Sequence, residues 1–152
     1  MAYISIGSNL GDREGNCRRS LSIIGAMGIK VRAVSRAYET RPWGMTGQPD
    51  FINMAAELET DMPPEVLHAK LHEIEDMMGR VRKEKWGPRN IDLDLLLYDD
   101  VVINTPGFTI PHPSIPEREF VLAPLAEIAP DVLHPVLKKT ARELLENLKR
   151  AG

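Results

Sequence analysis

The chain has 152 residues, 43% hydrophobic and 27% charged, a composition ordinary for a soluble globular protein and a length that fits one domain, 1–152, around one core. No apolar run approaches the roughly 20 residues needed to span a bilayer, and a net charge of −3 with a pI near 5.8 argues against a partner such as nucleic acid, which is usually met by a basic excess. Any anion handled is therefore expected to be small and locally bound. No basic segment followed by a long apolar one opens the chain, so no signal peptide is expected. The single Cys17 excludes an internal disulfide and fits a reducing cytoplasm, the expected location.

Tyr3 to Ser8 alternates and is the first predicted strand, stopped by Gly7-Ser8-Asn9. Asp12 can cap a helix running to about Met27, with Cys17, Leu21 and Ile24 on one face. Lys30 to Tyr38 reads as a second strand, with Val31, Ala33 and Ser35 on one side and Val34 on the other. Thr40 to Pro49 is rich in glycine and proline and reads as a long loop. Phe51 to Thr60 is a third strand, antiparallel to the second across that loop. Pro63-Pro64 then open a helix whose Leu67, Leu71, Ile74 and Met78 form one apolar stripe, ended by Gly79. Ile91 to Tyr98 is the fourth strand. Val101-Val102-Ile103 suggest an edge hairpin, and Phe120 to Ile128 and Thr140 to Lys149 suggest short C-terminal helices. The order βαββαβ is the ferredoxin-like α+β pattern, an antiparallel sheet with helices on one face, and it leaves the other face for ligands. Such a fold hosts many functions and names none.

The most informative local feature is Asp92-Leu93-Asp94. Alternation puts both carboxylates on one face of the strand, about 6.6 Å apart at the backbone. At an effective dielectric near 20 two such charges repel by roughly 2.5 kcal/mol. A hard divalent cation would offset that repulsion, and oxygen ligands suit Mg²⁺ or Mn²⁺ rather than zinc. A solvated face that carries two acids is the plainer alternative. Just upstream, Arg80, Arg82, Lys83, Lys85 and Arg89 lie within ten residues and are opposed only by Glu84. Acids that hold a metal beside guanidinium groups that hold phosphate oxygens are what a metal–polyphosphate complex needs. A solvated charged loop, or a structural Arg89–Asp92 pair, would account for the same residues. Read from these residues alone, the pattern is metal-assisted phosphoryl transfer. His68 and His72, at i and i+4, have zinc-ligand spacing, but without a third ligand a solvated helix face is the simpler reading. His134 carries no readable signal.

The run Lys85-Trp86-Gly87-Pro88-Arg89-Asn90-Ile91-Asp92-Leu93-Asp94-Leu95-Leu96 resembles the signature of 6-hydroxymethyl-7,8-dihydropterin pyrophosphokinases. Ile6-Gly7-Ser8-Asn9-Leu10-Gly11-Asp12, Gln48-Pro49-Asp50-Phe51-Ile52-Asn53, Gly79-Arg80-Val81-Arg82, Ile110-Pro111-His112-Pro113 and Arg118-Glu119-Phe120-Val121-Leu122 extend the likeness over nearly the whole chain. Arg41, His72 and Pro113 depart from the residues usual in that family. The resemblance implies ATP as co-substrate, with two Mg²⁺ ions on Asp92 and Asp94 that bridge its phosphates. It implies Arg82 and Arg89, with Arg80 less directly, on the phosphates, Trp86 in a closing loop, and His72, Glu75, His112 and Arg118 around the nucleotide. It further implies a pterin ring between Phe51 and Phe120, its amide-like edge read by Asn53, with Thr40, Pro42 and Trp43 lining the pocket largely through backbone and Asp92 also binding the pterin. A monomer acting on small molecules, away from nucleic acid and membrane, is the matching expectation.

Two other readings use the same residues. A nucleotidyltransferase or other two-metal phosphoryl-transfer enzyme would employ the aspartate pair but release diphosphate from ATP. A ferredoxin-like RNA-binding module would want adjacent sheet aromatics and a basic face, which this acidic, aromatic-poor chain lacks.

Overall fold

The computed structural model describes residues 1–40, 50–79 and 90–151. The elements in chain order are β1 (Ala2–Ser8), α1 (Arg13–Ala26), β2 (Lys30–Val34), β3 (Tyr38–Thr40), β4 (Phe51–Glu59), α2 (Pro64–Met77), β5 (Asp92–Tyr98), β6 (Ile103–Thr105), β7 (Phe108–Ile110), α3 (Glu119–Ile128) and α4 (Ala141–Ala151). The main sheet runs β2-β4-β1-β5, with β3 also paired to β4, and every pairing is antiparallel. This is the ferredoxin-like α+β arrangement expected from the pattern of elements.

One face of the sheet carries Ala2, Ile4 and Ile6 of β1, Met54, Ala56 and Leu58 of β4, and Leu93 and Leu95 of β5. These residues bury against α1 and α2. The predicted stripe of α2 is real: Leu67, Leu71 and Ile74 are fully buried, each worth about 2 kcal/mol of transfer free energy. Asp12 caps α1 by accepting from the Gly15 N–H at 3.2 Å, and Gly79 follows α2 at φ +72°, a left-handed conformation that glycine adopts without strain.

The opposite face is divided. Tyr3, Leu96 and Leu97 pack there with Val121, Leu122 and Leu125 of α3 and Ala141 and Leu144 of α4. The C-terminal helices thus cover one end of the face that the βαββαβ pattern alone leaves bare. A β-bulge makes this possible. The β1–β5 register passes from Tyr3 opposite Leu97 to Ile4 opposite Leu95, so Leu96 and Leu97 both join the α3 side while Leu93 and Leu95 stay with α1 and α2.

The predicted second strand is interrupted. β2 ends at Val34 because Ser35 turns its own side chain into the pairing: its Oγ accepts from the Ala55 N–H at 2.9 Å and donates to the Arg36 carbonyl at 2.8 Å. A serine side chain that competes for backbone partners in this way breaks a strand. A second bulge, between Val31 and Ala33, sets Val31 opposite Leu58 but Ala33 opposite Glu57. The two side chains therefore fall on opposite faces, not on one. The edge hairpin is also displaced: β6 and β7 form a separate two-stranded sheet over 103–110, turning at Gly107, φ +83°. Among the described residues no helix is long and apolar enough to cross a membrane.

Candidate functional site

Antiparallel register aligns side chains across the uncovered part of the second face. Tyr38 of β3 stands opposite Asn53 of β4, Asn53 opposite Gly7 of β1, and Gly7 opposite Asp92 of β5. Cross-strand partners share a face, so one row of four residues crosses four strands. The next rows hold Thr40 opposite Phe51, and Ala55, Ser5 and Asp94 in line. The strand period predicts Asp92 and Asp94 on one face, and both are half-buried there while Leu93 and Leu95 are buried on the other. Gly7, which in the sequence reads only as part of a strand stop, lies inside β1 and forms the floor. A Cβ built there would come within 3.3 Å of Asn53 Oδ1 and 3.8 Å of Phe51 Cδ1.

Asn53 Nδ2 donates to Thr40 Oγ1 at 2.7 Å, so the Thr40 side chain reaches this row. Phe51 rises from the sheet beside Asn53, and Phe120 enters the same side from the first turn of α3, half-buried against the second cluster. Arg118 sets its guanidinium carbon 5.9 Å from the Phe120 ring centroid.

β5 is an edge strand of the main sheet, and its outward backbone groups are matched individually. The Leu93 N–H donates to Glu75 Oε2 of α2 at 2.7 Å, and the Leu96 carbonyl accepts from the His112 N–H at 2.9 Å. Glu75 is fully buried, with His72 Nδ1 3.4 Å from its other oxygen. Expected beside a nucleotide, Glu75 thus also holds the strand that carries both aspartates. The His112 ring accepts from the Ser114 N–H at 3.1 Å through Nδ1. Burial pushes the His112 pKa down, with the Arg118 charge acting the same way and Asp92 opposing. A neutral His112 therefore carries its proton on Nε2.

Other groups are accounted for structurally. His68 is not on a solvated face: its ring stacks on Phe108 of β7 with centroids 4.3 Å apart and meets His72 edge-on at 4.6 Å. Through Nδ1, His134 accepts from the Val136 and Leu137 N–H groups and so builds a turn. Burial pushes the Cys17 thiol up to about 12, which removes it as a nucleophile. Arg80, Arg82, Trp86, Arg89, Pro42 and Trp43 lie outside the described residues. Among the described residues no group of three or more His, Cys, Asp and Glu converges as a metal cage. Two half-buried carboxylates on adjacent rows suit a hard cation that takes the rest of its oxygen ligands from phosphate and water.

Comparison with known proteins adds an independent line. The family model for 7,8-dihydro-6-hydroxymethylpterin-pyrophosphokinase (HPPK) matches residues 3–130. A 2-amino-4-hydroxy-6-hydroxymethyldihydropteridine pyrophosphokinase of Bacillus subtilis is 44% identical over 133 residues, covering 87% of this chain and 80% of that protein. Its counterpart from Methylorubrum extorquens is 41% identical over 152 residues, covering 99% and 95%. The folic acid synthesis protein fol1 of Schizosaccharomyces pombe is 42% identical over 153 residues, and this chain spans 21% of its length. Among solved structures, Plasmodium falciparum HPPK-DHPS with pteroate superposes with a TM-score of 0.75 at 16% identity, covering 96% of this chain and 42% of that one.

Proposed function

The chain belongs to the 7,8-dihydro-6-hydroxymethylpterin-pyrophosphokinase family, and from that premise we propose that it transfers the terminal diphosphate of ATP to the hydroxymethyl oxygen of 6-hydroxymethyl-7,8-dihydropterin, a step in folate biosynthesis. The observation that carries the reading is the shared sheet face, on which Phe51 and Asn53 of β4 lie on one side of β1 and Asp92 and Asp94 of β5 on the other, with Asn53, Gly7 and Asp92 in one row. A flat bicyclic heterocycle suits two aromatic faces and a side chain that both donates and accepts, which Phe51, Phe120 and Asn53 supply. At the other end of the row, Asp92 and Asp94 would hold two Mg²⁺ ions. When bound, Mg²⁺ supplies charge neutralisation on the polyphosphate.

In the reaction the hydroxymethyl oxygen bonds to the β-phosphorus of ATP. The bond from that phosphorus to the α,β-bridging oxygen breaks, AMP leaves with the oxygen, and the hydroxyl proton is lost to water. Positioning and electrostatics carry such a step. Neutral His112 offers an Nε2–H donor, and Arg118 a charge, on the nucleotide side. On the family resemblance, Arg82 and Arg89 steady the phosphates with help from Arg80, His72 and Glu75 border the nucleotide, Trp86 packs in the loop over it, and Pro42 and Trp43 join Thr40 around the pterin.

The test is product analysis with ATP, Mg²⁺ and the hydroxymethyl dihydropterin. Pterin-dependent AMP without ADP is the expected result, whereas ADP or diphosphate would overturn the reaction. Asp94→Ala is expected to lower Mg²⁺-dependent turnover by about a thousandfold, the scale of removing several kcal/mol of metal-borne stabilisation. Near-normal turnover in that variant would overturn its assignment.

A further inference from the structure

The side chain nearest the centre of the open face is steered by a neighbour that owes its own position to a different part of the molecule. Asn53 is 6% exposed. Its Nδ2 donates to Thr40 Oγ1 at 2.7 Å, on the β3 side, and its Oδ1 leans over Gly7 on the other. The amide plane therefore lies across the strands, with the remaining N–H and the carbonyl oxygen left for a ligand edge. Thr40 belongs to a strand of three residues that pairs with β4 alone in the main sheet. What holds that strand from the other side is α3: Tyr38 Oη donates to Glu127 Oε1 at 2.6 Å and the Arg36 N–H to Glu127 Oε2 at 3.0 Å. Thus β3 is clamped to α3 at one end and reaches Asn53 through a hydroxyl at the other.

We propose that the Thr40 hydroxyl is a positioning device for pterin recognition, holding the Asn53 amide in the plane in which it meets the ring before the ring arrives. The inference rests on the function proposed above, in which Asn53 reads the pterin edge. An asparagine left to rotate must lose that freedom when ligand binds, and a hydrogen bond already in place removes the loss. Thr40→Val keeps the β-branched shape that a strand prefers but removes the acceptor. The amide N–H is then left without its partner in a largely buried setting.

The experiment measures steady-state constants and thermal unfolding for the whole chain with Thr40→Val and Thr40→Ser. Thr40→Val is expected to raise the KM for the pterin about tenfold, the scale of one hydrogen bond. The KM for ATP and kcat should stay close to those of the unaltered protein while the unfolding midpoint falls by a few degrees for the unpartnered amide, and Thr40→Ser should restore the midpoint and bring the pterin KM to within about twofold. An unchanged pterin KM in Thr40→Val overturns the proposal, as does an equal rise for ATP or a failure of Thr40→Ser to restore binding. Should the unaltered protein release no AMP, the reaction falls instead. Fluorescence titration with the dihydropterin then reads the role of Thr40 without turnover: weaker binding by Thr40→Val alone supports it, and equal or absent binding in all three proteins overturns it.

Discussion

Gly7 shows how little room a single position can have. It sits within β1, where glycine costs roughly 0.5–1 kcal/mol of stability relative to alanine, yet a Cβ there would reach 3.3 Å from Asn53 Oδ1 and 3.8 Å from the Ile52 carbonyl oxygen. Gly7→Ala is therefore expected to move two observables in opposite directions. The unfolding free energy should hold or rise slightly, while the pterin KM increases severalfold because Asn53 must shift by a few tenths of an ångström. Urea unfolding read alongside initial rates separates these outcomes; a stable variant with unchanged pterin KM would show that the floor tolerates a methyl. Nothing in the composition around Gly7 marks it as a floor. Its place follows from register with Asn53 and Asp92, and register depends on pairings far apart in sequence. Asp92 and Asp94, by contrast, are legible at once, since two residues of one strand need only the strand period to share a face.

At the scale of elements, periodicity finds what is long and regular. The stripe of α2, the cap of α1 and the alternation of β4 and β5 follow from local sequence. The breaks do not: Ser35 ends β2 through contacts with Ala55 and Arg36, and the bulges in β2 and β5 arise from which strand lies alongside. The tie between β3 and α3 is equally hidden, because Tyr38 and Glu127 are 89 residues apart. Glu127→Ala removes the acceptor for both Tyr38 Oη and the Arg36 N–H in a partly exposed setting. A loss of about 1 kcal/mol in urea unfolding is expected, with Tyr38→Phe losing less, because water replaces part of what is removed. Identical midpoints in both variants and the unaltered chain would mean that the tie does not contribute.

Across the whole molecule, burial lowers the pKa of His68, His112 and His134 below the usual histidine value. A folded-state pKa below the unfolded one means that stability is fully present above about pH 6.5 and is lost as pH falls through the folded values, because the unfolded chain then binds more protons. The urea midpoint is expected to fall between pH 7.5 and 5. His134→Asn places an oxygen where Nδ1 accepts from Val136 and Leu137 and cannot titrate, so its midpoint should fall less steeply. An identical slope would remove His134 from the effect. The sequence offers four histidines and no means of ranking them, since burial is a property of packing.

The row from Asn53 through Gly7 to Asp92 crosses three strands at a fixed spacing. Neighbouring strands lie about 4.8 Å apart, a spacing set by backbone hydrogen bonds and indifferent to side chains. Two such intervals, about 9.6 Å at the backbone, separate the residue proposed to read the ring from the residue proposed to hold the metal. The sheet is thus a ruler. Substitution at Asn53 or Phe51 can alter which heterocycle is accepted, but the distance from that heterocycle to the reacting phosphorus is graduated in whole strands. A substrate with a longer arm would overshoot the proposed metal site by a length that no single side-chain change can take back.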